Sequence, residues 1–279
     1  MFIVYKSEMP SESTIKQYEM RMAKLRKDKV QYNILSDLLK WFEKEELGAS
    51  SQKVYLSAIK HSNPEGFPAP LQEKLNDLYK AQSKRDTQQT LTDTQQERFV
   101  KWDEIAKLQE EFPEPKTTAK WKQYLVVSLY TLNAPVRADY AEMEVHTKYD
   151  KKRTGNELIW NKTPKFIFRK YKTAKTYGEV SIPVSKPLQK VIADWFNHLG
   201  NIPPYLLGSP STPNTFAVYV ASTFKQLLGK ELGVSMLRHA YITHMFPKLK
   251  SIKQKQDLAQ KMLHSKDLQE KYVSLKDMD

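Results

Sequence analysis

The chain of 279 residues contains no cysteine, which rules out a disulfide framework and a thiolate metal site alike. Its six histidines lie without ligand spacing. His239 and His244, five positions apart, would not share one face of a helix, so no metal is expected. No apolar run reaches the roughly 18 residues of a membrane-spanning helix. The apolar opening Met1-Phe2-Ile3-Val4-Tyr5 stops at Lys6, too short for a secretory signal. These absences lead us to expect a soluble, intracellular protein with no membrane association.

Acidic residues are in deficit. Lys and Arg number 45 against 32 Asp and Glu, a formal net charge of +13 and a sequence pI near 9.5. The excess is uneven: residues 1–80 carry 13 basic and 11 acidic side chains, and the rest of the chain 32 and 21. The densest stretch, 148–175, holds 10 basic residues against 2 acidic ones. A lysine-rich surface can serve solubility alone, but charge concentrated in one segment points to a polyanionic partner. Lys162, Lys165, Arg169, Lys170 and Lys172 are the candidate contacts to such a partner.

Apolar spacing divides the chain in two. Ser11 or Ser13 can cap a helix carrying Ile15, Tyr18, Met22 and Leu25 at three- and four-residue intervals. A second helix is predicted over 32–46, ended by Gly48. A third starts at Ser50 or Ser51, and a short fourth carries Leu71, Leu75 and Leu78. Residues 1–82 are thus expected to form a helical domain. Residues 83–96 are polar apart from Leu91 and read as a linker. A second domain, 97–279, opens with Phe99, Trp102, Ile105 and Leu108 at helical spacing. A strongly apolar helix over 121–132 follows. Short β-type runs come next at 158–160, 166–168 and 180–182, with turns at Gly155-Asn156 and Tyr177-Gly178. Helices resume near 186–199, 215–228, 235–246, 252–263 and 268–275. The expected fold class is mainly α with a small antiparallel sheet.

The chemistry is concentrated late in the chain. Met236-Leu237-Arg238-His239-Ala240-Tyr241-Ile242-Thr243-His244 is followed by His264 and then Tyr272. Arginine grips phosphate oxygens through its planar fork, and histidine adds a donor. Tyrosine supplies an oxygen that can hold the phosphate while a strand is open. Any one of these residues alone would more often be a surface or packing residue; their order and context carry the signal. Upstream stand Ala134-Pro135-Val136-Arg137-Ala138-Asp139-Tyr140 and Tyr171-Lys172-Thr173-Ala174-Lys175-Thr176-Tyr177-Gly178-Glu179-Val180-Ser181-Ile182-Pro183.

These four segments resemble the boxes of the tyrosine recombinases, the phage-integrase family that cuts and rejoins DNA. The motifs cover roughly residues 96–279, and the first 80 residues resemble the family's core-binding domain by helical pattern only. The resemblance implies a catalytic set of Arg137, Lys175, Arg238, His264 and the nucleophile Tyr272. The family's lysine lies eight residues before the proline of a Val-Pro or Ile-Pro pair, which favours Lys175 over Lys172. The implied reaction passes through a 3′-phosphotyrosine and needs neither metal nor ATP. The implied partner is double-stranded DNA, handled by a homodimer or tetramer on paired sites. The implied origin is viral or mobile-element, and the implied place is with DNA in the cytoplasm or nucleus.

Two positions depart from the pattern. Ser235 stands where the family usually has histidine or lysine, three residues before its second arginine. A hydroxyl can bond a phosphate oxygen, but it is neither a cation nor an effective base. Asp139 lies two residues after the first arginine, where a carboxylate three residues after is usual. A type IB topoisomerase with the same chemistry remains an alternative, as does a DNA-binding derivative that has lost catalysis. A nicked suicide substrate analysed for a covalent adduct separates the last from the other two.

Overall fold

A computed structural model describes residues 10–88 and 91–264. Tyr272 and the helix expected over 268–275 fall outside them. The chain divides into two compact units, Met1–Gln88 and Gln89–Asp279.

The first unit holds four helices: α1 (Glu12–Lys27), α2 (Leu35–Lys44), α3 (Ala49–Ser62) and α4 (Ala69–Gln88). Ser11 begins α1, its Oγ accepting the Thr14 N–H at 3.3 Å. The buried Trp41, Phe42 and Tyr55 rings form the centre of its core, with Leu25, Leu38, Leu56, Ile59 and Leu71 around them. Trp41 satisfies its indole N–H on Asp28 Oδ2 at 3.1 Å, and Lys24 ties the ends of α1 and α2 by reaching Asp28 and Glu45, each at 2.9 Å.

Several boundaries differ from expectation. Gly48 does not end α2; it precedes α3 as its N-cap, and neither Ser50 nor Ser51 serves as the cap. Helix α4 is 20 residues long instead of short. Lys, Arg and Gln favour the helix without needing a core to pack on, so the polar stretch expected as linker 83–96 continues α4 to Gln88. The described remainder of that stretch leads into α5 (Asp93–Arg98), started by a Thr92–Gln95 capping box.

Both α1 and α2 finish in the same turn. Val30 N–H reaches Leu25 O at 3.0 Å and Lys29 N–H reaches Arg26 O at 3.1 Å; Leu47 and Glu46 repeat the pair on Phe42 O and Glu43 O at 2.9 and 3.0 Å. This is the Schellman arrangement, which places its pivot residue in the left-handed region. Lys29 and Glu46 hold that pivot at φ 53° and 50°.

The second unit continues with α6 (Trp102–Glu110) and α7 (Thr118–Thr131). Phe99, expected inside a helix, is the C-cap of α5. Residues Leu125 to Tyr130 of α7 are all buried, the mark of a helix enclosed on every side. Then come β1 (Glu144–His146), β2 (Glu157–Ile159), β3 (Lys165–Phe168), the one-turn α8 (Ala174–Tyr177), β4 (Val180–Pro183), α9 (Lys186–Leu199), α10 (Pro213–Leu228), α11 (Val234–Met245) and α12 (Ile252–Lys261). The four strands form one sheet in the order β1-β2-β3-β4. It is mixed where an antiparallel sheet was expected: β2–β3 and β3–β4 are antiparallel, but β1 pairs parallel to β2. Ten residues, 147–156, make that crossover without a helix, possible because each strand is only three residues long. Fold class is therefore mainly α with a small mixed sheet. Among the described residues, no helix is long and apolar enough to cross a membrane.

The left-handed pivots give a test of the fold. A non-glycine residue in that region costs about 1–2 kcal/mol, and glycine returns about 0.5–1 kcal/mol of that through unfolded-state entropy. Lys29→Gly and Glu46→Gly, both at exposed positions, should each stabilise the first unit by roughly 0.5–1 kcal/mol. Amide exchange of α1 and α2 reads this out, and weaker protection would contradict the turn assignment.

Candidate active site

The site is built from three chain segments that end in the same place. The first is the loop after α7. Asn133 fastens it, donating from Nδ2 to Pro183 O at 3.2 Å and accepting the Ser185 N–H at 3.2 Å. The buried Tyr130 hydroxyl donates to Arg137 O at 2.8 Å, and Arg137 N–H donates to Asp139 Oδ2 at 3.1 Å. Arg137 is therefore held through its backbone from both sides.

The second is α11. Gly233 begins it, Ser235 lies exposed in its first turn, and Arg238 follows one turn later, fully buried. The third is α12, opened by a Ser251–Gln254 capping box. It ends in the same Schellman turn as α1 and α2: His264 N–H reaches Ala259 O and Leu263 N–H reaches Gln260 O, both at 3.1 Å, with Leu263 at φ 55°. Unlike Lys29 and Glu46, this pivot is a buried leucine.

The turn aims three consecutive residues at the two arginines. Arg238 Nη1 donates to Met262 O at 2.8 Å and to Pro135 O at 3.1 Å. Its Nη2 meets His264 Nδ1 at 3.0 Å. Arg137 Nη1 donates to Leu263 O at 3.1 Å. A guanidinium has no acceptor, so His264 accepts at Nδ1 and carries its proton on Nε2. Burial, then Arg238 and Arg137, lower the His264 pKa to about 3. The imidazole is neutral and is a donor from Nε2. Burial raises the Asp139 pKa to about 6, against the opposing pull of Arg137 and Arg238.

The remaining candidates fall around this centre. Lys175 is exposed on α8, inside the connection between the antiparallel strands β3 and β4. Thr173, two residues earlier, donates to Leu263 O at 3.3 Å, which brings the lysine-bearing loop to the carbonyl that Arg137 also uses. A cavity of about 310 Å³ opens beside it, lined by Tyr171, Tyr177, Val180, Gln260, Leu263 and His264 among others. Lys162, Lys170 and Lys172 are exposed. Lys165 is half-buried, its Nζ 5.5 Å from the centre of the Tyr149 ring.

Arg169 is different from the other four candidates. Its guanidinium pairs with Glu157 and Glu179, each at 2.7 Å, and donates to Gly155 O and Asp150 O. It braces the 147–156 crossover through these bonds. Asn156, expected only as a turn residue, is buried and uses its whole amide. It donates to Asp139 O and Lys170 O at 3.0 and 2.9 Å and accepts from Arg169 and Lys170 N–H at 2.9 and 2.8 Å. It thereby links the Arg137 loop to the root of the Lys175 loop. Neither Asn156 nor Thr173 carries a local signal for these roles, since each partner lies far along the chain.

No protein-family model matches the chain, and no curated protein matches it. Among solved structures it is similar to one described as the crystal structure of XerA recombinase, with 15% identity, 95% of this chain and 88% of that chain covered, and a TM-score of 0.45.

The opposed shifts of Asp139 and His264 have a readable consequence. Between pH 6 and pH 4 the folded protein gains a proton on Asp139, while the unfolded chain gains one on His264, whose ordinary value is 6.5. A raised carboxyl favours the folded state at low pH and loses that contribution as pH rises through about 6; a lowered imidazole does the reverse. The two cancel. Asp139→Asn removes the first, so stability relative to the unmodified protein should fall by roughly 1.4 kcal/mol per pH unit as the pH is lowered from 6 to 4. Denaturant melts across that range check it, and parallel curves for the two proteins would contradict the shifts.

Proposed function

We propose that this protein cleaves and rejoins double-stranded DNA as a tyrosine-type strand transferase, in the manner of a site-specific recombinase or integrase. The observation that carries the reading is the meeting of Arg137, Arg238 and His264 at the turn after α12. Arg137, more than a hundred residues before the other two, joins Arg238 and His264, which are themselves 26 residues apart; two guanidiniums and a neutral imidazole donor thus come together, a set suited to the charge on a pentacoordinate phosphorus. Tyr272, eight residues beyond His264, is the proposed nucleophile and lies outside the described residues.

In this reading Tyr272 Oη attacks phosphorus, the P–O5′ bond breaks, and a 3′-phosphotyrosine remains. Lys175 gives its proton to the leaving 5′ oxygen. Bond energy stays in the phosphotyrosine, so rejoining needs no nucleotide, and charge neutralisation by the arginines asks for no metal. Ser235 offers no basic group in the first turn of α11, so the phenol proton passes to water and cleavage is expected to be slow. Lys162, Lys165, Lys170 and Lys172 are the proposed phosphate contacts, which position DNA without reading its sequence. Exchange between two sites implies assembly of two or four copies; relaxation by a single copy is the topoisomerase alternative.

The experiment is a nicked suicide duplex that traps the covalent intermediate. The unmodified protein should form a protein–DNA adduct, and Tyr272→Phe should form none while binding the duplex as tightly. An adduct that persists in Tyr272→Phe would move the nucleophile elsewhere, and none with the unmodified protein would leave only the DNA-binding derivative. Lys175→Ala should slow cleavage at an ordinary 5′ oxygen by roughly 10²–10⁴-fold, the usual worth of a positioned acid. On a 5′-bridging phosphorothiolate, whose sulfur leaves without a proton, the loss should be small. Equal losses on both would make Lys175 a phosphate contact instead.

A further inference from the structure

The loop between β3 and β4 is braced as one piece. Tyr171 Oη donates across it to Gly178 O at 2.7 Å, and Asn156 grips its root at Lys170. A braced loop rooted at one end can still swing as a body about that root. Its second anchor is Thr173.

Thr173 occupies the N-cap of α8, where a threonine ordinarily turns its hydroxyl back to accept an N–H of the first helical turn. Here the side chain makes no such bond. The hydroxyl donates instead to Leu263 O, ninety residues away in sequence. Leu263 O thus takes two donors, Arg137 Nη1 and Thr173 Oγ1. That carbonyl is presented by a left-handed leucine, a conformation that costs about 1–2 kcal/mol. The turn therefore fixes one oxygen that both the first arginine and the lysine loop use as their reference point.

We infer that Thr173 is a positioning residue for the proton donor, holding the Lys175 turn in register with Arg137 and His264. This rests on the reading of Lys175 as the acid that protonates the 5′ oxygen. The proton still moves from Lys175; Thr173 sets only where the ammonium stands. Displacement of a reacting group by about 1 Å can cost around a hundredfold, so a single hydrogen bond at the base of α8 is enough to matter.

Thr173→Val keeps the shape and removes the donor. Cleavage of the ordinary 5′-oxygen suicide duplex should slow by roughly ten- to a hundredfold, while cleavage of the 5′-bridging phosphorothiolate stays near that of the unmodified protein. Duplex affinity and the melting temperature should barely change, and Thr173→Ser, which restores the hydroxyl, should recover the ordinary rate. A loss of equal size on both substrates would overturn the proposal, because Thr173 would then act through Leu263 and Arg137 on the phosphate. An unchanged rate on both would overturn it as well, as would failure of Thr173→Ser to recover a folded, slow Thr173→Val. Failure of the underlying reading looks different: Lys175→Ala would itself lose equally on both substrates, or the unmodified protein would form no adduct.

Discussion

The site depends on one buried charge at the end of one helix. Arg238 has no exposed surface, and a guanidinium out of water is tolerated only with partners arranged around it. Pro135 O, Met262 O and His264 Nδ1 supply them. Two of these belong to the C-terminal turn of α12, where unpaired carbonyls concentrate partial negative charge. The arginine and the turn therefore stabilise each other. Because the Pro135 carbonyl belongs to the Arg137 loop, the same guanidinium also joins that loop to the turn. The neutral state of His264 follows from its burial first, and then from the cost of a second positive charge beside Arg238.

Among the described residues the same turn is used three times with a non-glycine pivot, and the third use adds something the first two lack. At Lys29 and Glu46 the left-handed pivot is an exposed polar residue. At Leu263 it is buried, and its carbonyl is a junction for Arg137 and Thr173. Strained backbone commonly collects where function needs a fixed geometry. Glycine would satisfy the turn alone more cheaply, but the leucine side chain belongs to the hydrophobic core of the second unit. Backbone strain here is balanced by packing and by two hydrogen bonds to one oxygen.

How much of this was legible in the sequence depends on the range of the interaction. Helix α9 spans the residues its apolar period predicts, and β3 and β4 appear where short β-type runs stand. The length of α4 was not legible, because a polar helix and a polar linker have similar composition. Strand β1 was missed: three residues pairing parallel to β2 leave no alternation to read. The residue order around Arg137, Arg238 and His264 pointed to a common site, and these three do converge. Which basic residues are engaged internally was not legible, as Arg169 shows, because Glu157 and Glu179 stand well away from it in sequence and become partners only through the sheet. Asn156 and Thr173 were unreadable for the same reason. Asp139, two residues after Arg137, sits in the field of both arginines.

The interaction on which the site rests can be observed at a single imidazole. Nitrogen-15 NMR of histidine-labelled protein, with His264 assigned by its loss in His264→Gln, reports both tautomer and titration. The Arg238 contact requires Nδ1 unprotonated, Nε2 protonated, and a ring that stays neutral at pH 5, well above its lowered pKa of about 3. A His264 that carries its proton on Nδ1, or that titrates near the ordinary 6.5, would show that Arg238 does not hold it and that the three segments do not meet as described.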